Sequence, residues 1–487
     1  MNVDLYQEPL VSRYTSKEMQ KLFSERTKFT LWRRCWLALA ESFYELDLQD
    51  EDGKPIIKEE QIQELKDHLT DINFEEARKK EEEIRHDVMS HIYAYGKQCP
   101  NAAKIIHLGA TSAFVTCNSE LIQQREGLKI IKRRLLKVIK NLADFAIRYK
   151  GIVTLAYTHF QPAQPTTIGK RATLYIQDLL MDLEYLEFVL KMIKARGVKG
   201  TTGTQASFLE LFHEDHEKVK KLDKLVSLKL GFDNAFDVTG QTYPRKLDTK
   251  IAEVLAGIAT SSHKFGVDMR LASHLKIMEE PFEKAQVGSS AMAYKRNPMR
   301  SERLTALSRL LIGKIINFYH TAANQWLERS LDDSAIRRID IPQSFLLADA
   351  ILILYNNITK NMIVYPKVVE KHLKEELPFM VTEAILMKAV ERGKDRQQIH
   401  ERIRIHSMEA AKRIKEEGKN NDLFERIAND PIIPIEMEEL NKLITDPIVF
   451  AGRAKEQTEE YIHNIVEPTL LKYEDILKQE DEGKVRY

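Results

Sequence analysis

Glycine and proline are scarce in this 487-residue chain, 19 and 15 in all, and that scarcity removes the punctuation an all-β or α/β chain needs. No proline falls between Pro165 and Pro244. Cysteine is scarcer still. Cys35, Cys99 and Cys117 are odd in number and show no CxxC spacing, which argues against a disulfide frame and a zinc site and predicts a reducing compartment. Net charge is nearly absent, with 74 Lys plus Arg against 73 Asp plus Glu, so no global field draws in nucleic acid or an acidic membrane. Any anion site must be local. The start, MNVDLYQEPLVSRYTSKEM, has no basic segment followed by an apolar run and so no sign of a signal peptide. The most apolar stretch, Phe345 to Tyr355, is far short of a membrane span and contains Asp349. The expectation is a soluble, cytoplasmic protein without nucleic-acid or membrane partners.

Several motifs are missing as well. There is no GxxxxGK[ST], no GxGxxG after a strand, no HExxH and no GxSxG, which weakens nucleotide-hydrolysis, dinucleotide, zinc-protease and hydrolase readings. The glycine-rich GVKGTTGTQ (197–205) follows a helical pattern rather than a strand. HEDHE (213–217) brings His213 and His216 close to three acids, but two histidines three apart without a distant third ligand read as a charged helix start. The sequence therefore predicts neither a metal site nor a cofactor.

What the chain does have is helical periodicity. Leu128, Ile131, Leu135, Val138, Leu142, Phe145 and Tyr149 step by three and four, as one apolar stripe of a helix does. The pattern recurs from Ile176 to Ile193, from Ile251 to Met269 and from Leu304 to Phe318. Helices of about 25 residues or more exceed the usual globular length and imply a long bundle. The reading is all-α: a helical domain over 1–111, a central long-helix bundle over 112–364 and a charged, shorter-pitched helical domain over 365–487. A hydrophobic fraction of 43% supplies a core.

One segment breaks the helical pattern. GSSAMAYKRNPMRSER (288–303) sets Lys295, Arg296, Arg300 and Arg303 against a single acid, Glu302, and carries Asn297 and Pro298. A solvated surface loop is one reading. An anion site is the other: Gly288 frees the backbone, Ser289 and Ser290 supply hydroxyls, and Lys295 and Asn297 supply donors for a carboxylate.

The spacing of Gly288, Ser289, Met292, Lys295 and Asn297 resembles the signature loop of the fumarase/aspartase/argininosuccinate lyase superfamily, with Ala293 where that superfamily often has proline. SRYTS (12–16), RHDVM (85–89), HLGATS (107–112), THFQPAQPTTIGKR (158–171), GVKGTTGTQASF (197–208), TGQTYPRK (239–246) and LDDSAIRR (331–338) narrow the likeness to the adenylosuccinate lyases of the animal type. It runs from about residue 9 to the C-terminus. The resemblance implies β-elimination of fumarate from adenylosuccinate and from the succinylaminoimidazole carboxamide ribotide of purine biosynthesis, and a homotetramer with a 20-helix-type core and active sites shared between chains. Alternatives are an argininosuccinate lyase-like sister enzyme and a non-catalytic structural homologue.

The resemblance also implies roles. His159 matches the general acid, oriented by Glu302, and Ser289 the base, acting as an alkoxide stabilised by nearby donors such as Lys295. His86 matches a second functional histidine. Asn297 and Lys295 would hold the succinyl carboxylates, helped by Thr111, Ser112 and Thr158. Arg13 with Tyr14, and Arg329 with Ser334 and Arg338, match phosphate ligands. Arg85, Asp87, Gln241 and Arg303 match other substrate-binding positions. Asp332 and Asp333 would repel phosphate, and are expected to cap a helix start and point away.

Overall fold

The computed structural model describes residues 4–283, 286–287, 289–292, 294–480, 483 and 485; Gly288 and Ala293 of the signature loop lie outside them. Eight helices position the site: α1 (Glu25–Glu45), α2 (Phe74–Ile84), α3 (Asp87–Gln98), α4 (Ser112–Arg148), α5 (Ile168–Met192), α6 (Lys246–His274), α7 (Met299–Ala323) and α8 (Asp333–Lys360). α4 packs on α5 and α8, and α7 packs on α6 and α8. The stripe seen in the sequence is the buried face of α4: Leu128, Ile131, Leu135, Val138 and Leu142 are fully buried. Each such side chain contributes about 1.5–3 kcal/mol when removed from water. That outweighs the few tenths per residue by which helix propensities differ, so burial of this face sets the 37-residue length of α4.

α8 is long and apolar enough to cross a membrane by length and composition, yet 78% of its apolar window is buried inside the protein. The acid buried at the middle of this helix has a task there. Asp349 pairs with Arg134 of α4 (Oδ1 to Nε 2.9 Å), both side chains being fully buried, and Asp349 Oδ2 accepts from the Ser16 backbone N–H at 2.7 Å. The core thereby fixes the chain just after Arg13 and Tyr14. Losing either partner would leave an uncompensated buried charge, at a cost of about 3–5 kcal/mol.

Two short antiparallel ribbons interrupt the helices. β1 (Val153–Thr158) pairs with β2 (Gln161–Thr167), with a bulge between Leu155 and Tyr157. β3 (Met278–Glu279) pairs with β4 (Ile363–Val364). Pro162 and Pro165 are tolerated in β2 because a two-stranded ribbon is all edge. A second apolar cluster, separate from the bundle core, joins Val153 and Leu155 of β1 to Leu373 and Leu377 of α9 (Pro366–Met380) and to residues as far as Ala454. The base of the hairpin is thus anchored in the C-terminal region while its tip is exposed.

Candidate functional site

A cavity of about 710 Å³ opens between the α2–α3 junction, the start of α4 and the start of α8. It gathers seven of the residues singled out from the sequence: Arg85, His86, Asp87, Ser112, Arg329, Ser334 and Arg338. Local backbone geometry explains their presentation. Arg85 ends α2 in the left-handed region, at φ 54° and ψ 41°, a conformation that non-glycine residues seldom adopt without a local reason. His86 is the N-cap of α3, its Nδ1 accepting from the Met89 N–H at 3.2 Å. That bond requires an unprotonated Nδ1 and leaves Nε2 as the free ring position. Thr111 is the N-cap of α4 but makes no side-chain cap bond. The first-turn N–H groups at the α4 start, with Ser112 in the cavity wall, suit a carboxylate or phosphate.

Arg329 reaches the cavity through loop-to-loop pairing. Its Nη1 donates to Gln241 Oε1 at 2.8 Å, and the Gln241 N–H donates to Glu328 O at 3.1 Å. Gly240 permits that approach, since a Cβ there would lie 2.4 Å from Glu328 O. The glycine-rich 197–205 segment supports the same loop from behind. Gly203, at φ +88°, lies so close to Thr239 that a Cβ would meet its carbonyl at 1.9 Å. Arg196, fully buried, donates to Gly200 O (2.6 Å) and Gln241 O (2.8 Å).

Asp333 corrects the expectation drawn from LDDSAIRR. It does not cap α8 and does not face away. It is buried in the cavity wall, with Arg245 Nε donating to its Oδ2 at 2.6 Å. Asp332 occupies the N-cap position of α8 but makes no side-chain cap bond. The repulsion expected against phosphate is offset because the Asp333 charge is held by a guanidinium. Arg337 extends the network, donating from Nε to Asp248 (2.7 Å) and from Nη2 to Glu120 (2.9 Å). Burial would raise the Asp248 carboxyl, but Arg337 and Arg245 outweigh it and hold that group below its ordinary value. Arg337, Arg245 and Glu120 were missed in the sequence. Only the RR pair at 337–338 hinted at them, and nothing local says which arginine turns inward.

The remaining residues stand apart from this cavity's walls. Arg13 is exposed and Tyr14 half-buried in the turn Leu10–Tyr14, and the Arg303 guanidinium lies 5.2 Å from the Tyr14 ring centroid. Thr158 closes β1. His159 and Phe160 form the two-residue hairpin tip, at φ 52° and 57°. Positive φ at both positions is the pattern of a type I′ turn, in which Asn-Gly is usual. A histidine and a phenylalanine there, both exposed, occupy a conformation that residues other than glycine and asparagine seldom adopt.

The signature loop is less cationic in space than in sequence. Arg300 is buried and bonds Asn357 and Glu283. Arg296 pairs with Glu279 at 3.3 Å. Glu280 caps the start of α7, accepting from the N–H groups of Arg300 (2.9 Å) and Ser301 (2.8 Å). Lys295 is exposed and Asn297 half-buried. Ser289 Oγ accepts two backbone N–H groups, from Ala291 at 3.3 Å and Met292 at 3.1 Å. Two fixed dipoles on one hydroxyl oxygen favour its anionic form. Glu302 is exposed in the first turn of α7, and no contact between it and His159 is seen among the described residues. Nor do the described His, Cys, Asp and Glu residues form a group of three or more able to hold a metal. In HEDHE, Asp215 caps the helix His216–Lys229, accepting from Glu217 and Lys218 N–H.

Comparison with known proteins gives this arrangement a context. Residues 50–313 match the family described as Lyase, and residues 378–461 match the one described as Adenylosuccinate lyase C-terminus. The adenylosuccinate lyase of Saccharomyces cerevisiae is 50% identical over 479 residues, covering 98% of each chain. Those of Schizosaccharomyces pombe and Schistosoma mansoni are each 48% identical, over 98% and 97% of both chains. Among solved structures, the 3-carboxy-cis,cis-muconate lactonizing enzyme of Pseudomonas putida aligns with TM-score 0.80 at 20% identity, over 94% of this chain and 99% of that one. A fumarate lyase from Mesorhizobium sp. BNC1 aligns at 0.78 and 21%, with the same coverage. At such identity these two speak for the fold alone.

Proposed function

Because the chain belongs to the lyase family, as a member of its adenylosuccinate lyases, we propose that the 710 Å³ cavity holds the nucleotide of adenylosuccinate while His159 and Ser289 carry out the elimination. The enzyme releases fumarate by β-elimination. In this reading Ser289 Oγ takes the proton from the carbon beside a succinyl carboxylate, its oxyanion held by the Ala291 and Met292 amides. The carbanion passes its charge into that carboxylate. The carbon–nitrogen bond then breaks, with His159 delivering a proton to the leaving nitrogen. An amine leaves poorly as an anion, so that proton is required. Fixed donors at the dianion supply the largest stabilisation, and the start of α4 with Ser112 offers them. Arg329, Ser334 and Arg338 take the phosphate. The succinylaminoimidazole carboxamide ribotide, with the same succinyl and phosphate ends, is a second substrate.

The observation that carries this reading is that one chain holds both a cation-lined cavity and, apart from it, a serine oxygen that accepts from two amides. His159, on an exposed tip, reaches such a site from another copy in a homotetramer. An apolar stripe on α5 supports that assembly. Leu174, Met181 and Phe188, seven residues apart, are 46%, 63% and 58% exposed, the spacing by which helices join along a seam. Three buried free thiols suit a reducing compartment, the cytoplasm. Fumarate release measured on adenylosuccinate and on argininosuccinate tests the substrate assignment. Turnover of the first alone, with AMP as co-product, is expected. Preference for argininosuccinate would reject the nucleotide reading.

A further inference from the structure

The cavity contains a cation that neither the sequence motifs nor the proposed phosphate ligands include. Lys28 lies on α1, in a wall otherwise built by the α2–α3 junction, α4 and α8. Its ammonium sits 5.0 Å from the Trp32 ring centroid and 5.1 Å from that of Phe29. Two other cations of the wall are committed, Arg245 to Asp333 and Arg337 to Asp248 and Glu120, while Arg338 is more exposed and 3.7 Å from Asp87 Oδ2. No carboxylate among the described residues lies within ion-pair distance of Lys28. Its charged neighbours face it from several elements: Arg338 of α8, Asp87 of α3, Glu120 of α4 and Glu25 of its own helix.

From this geometry we infer that Lys28 is a further phosphate-binding residue, acting on the same phosphate monoester as Arg338. The inference rests on the nucleotide reading of the cavity. A largely enclosed ammonium with no carboxylate at ion-pair distance is unfavourable unless a ligand brings an anion closer. The aromatic faces offset part of that cost. Burial and then Arg338 lower the Lys28 pKa, outweighing the Asp87, Glu120 and Glu25 carboxylates that raise it. A phosphate placed between Lys28 and Arg338 removes their mutual repulsion and gives each a charge-assisted hydrogen bond. Phosphate rather than carboxylate fits because the partner cation, Arg338, lies on the α8 face that also presents Ser334.

The test is competitive inhibition by AMP and by adenosine in the parent enzyme and in the Lys28→Met and Arg338→Ala variants. The expected result is that Lys28→Met weakens AMP about ten- to hundredfold and leaves adenosine within about threefold, since only the phosphate contact is lost. The melting temperature of ligand-free Lys28→Met should not fall, because an unpaired ammonium gives way to an apolar chain of similar length. AMP inhibition within about threefold of the parent, or equal weakening of AMP and adenosine, overturns the inference. If Arg338→Ala also leaves AMP unaffected, the phosphate reading of the whole cavity fails. If only Lys28→Met is silent, the fault lies with Lys28 alone.

Discussion

The cavity at the α8 start and the two loops that carry His159 and Ser289 are built on opposite plans. The cavity is preorganised within one chain. Arg338, assigned to the ligand in the proposed reading, is 66% exposed in its side chain and only loosely paired with Asp87 at 3.7 Å, while Arg337 beside it is 5% exposed and locked to Asp248 and Glu120. In the proposed reading one arginine of the pair meets the ligand and the other holds the wall. The loops invert this. His159 is exposed at a hairpin tip whose base alone is buried, and the Ser289 segment is tied at its far end by Glu280 and Arg300. Binding groups gain from rigidity, because ordering them in advance lowers the entropy lost on association. Reacting groups that must meet from different segments, and in the proposed tetramer from different chains, have to project outward.

The strongest way to break this comparison is at the loops. Ser289→Ala and His159→Gln should each lower turnover by about a hundred- to ten-thousandfold with the fold retained, the range for losing a general acid or base. Near-parent turnover in a folded variant removes that residue from its role. Mixing the two inactive variants under conditions that dissociate and reassociate the proposed tetramer should then restore about a quarter of parent activity, since random assembly gives half times half intact pockets. Proven subunit exchange without recovery would place both residues in one chain.

At the cavity the largest effect should be on stability. Arg337→Met leaves Asp248 buried without its main partner, and unfolding free energy should drop by about 3–5 kcal/mol, read from the denaturation midpoint. Arg338→Ala should keep the melting temperature and weaken AMP about ten- to hundredfold. If the adjacent arginines behave alike, the division between wall and ligand is wrong.

The smallest effect concerns acid. His91 stacks on Phe29 with centroids 3.7 Å apart, and burial, then Arg33 and Lys28, lower its pKa to about 4. The unfolded chain protonates near the ordinary 6.5, so between about pH 6.5 and 4 it binds more protons than the folded one. Stability should fall as pH drops through that window, by up to about 3 kcal/mol from this group. His91→Phe should flatten that part of the decline in denaturant midpoints taken at about pH 7.5 and 5. An unchanged slope would show that His91 titrates freely.

Much of this was legible in the linear chain. The three-and-four spacing of Leu128 to Phe145 marks the face of α4 that is buried, because helical periodicity depends only on neighbours a turn away. The motifs around residues 85–89, 107–112 and 331–338 carry the family resemblance, and Arg85, His86, Asp87, Ser112, Ser334 and Arg338 from them line the cavity. The hairpin at 153–167 was not legible as a strand pair, since Pro162 and Pro165 argue against strand and its pairing is stabilised by residues beyond 370. Nor was the direction of Asp333, expected to face away and found against Arg245. Side-chain identity sets what an acid or an arginine is able to do. Which one is buried depends on partners 80 to 220 residues distant, such as Asp248 and Glu120 for Arg337. The two amides on Ser289 depend likewise on how the backbone turns between Glu280 and Arg300. Local pattern therefore determined the helices and the kinds of chemistry available. Only the tertiary structure decided which charges cancel within the wall and which remain for a ligand, because the energy of a buried charge is set by whatever the fold brings within a few ångströms of it.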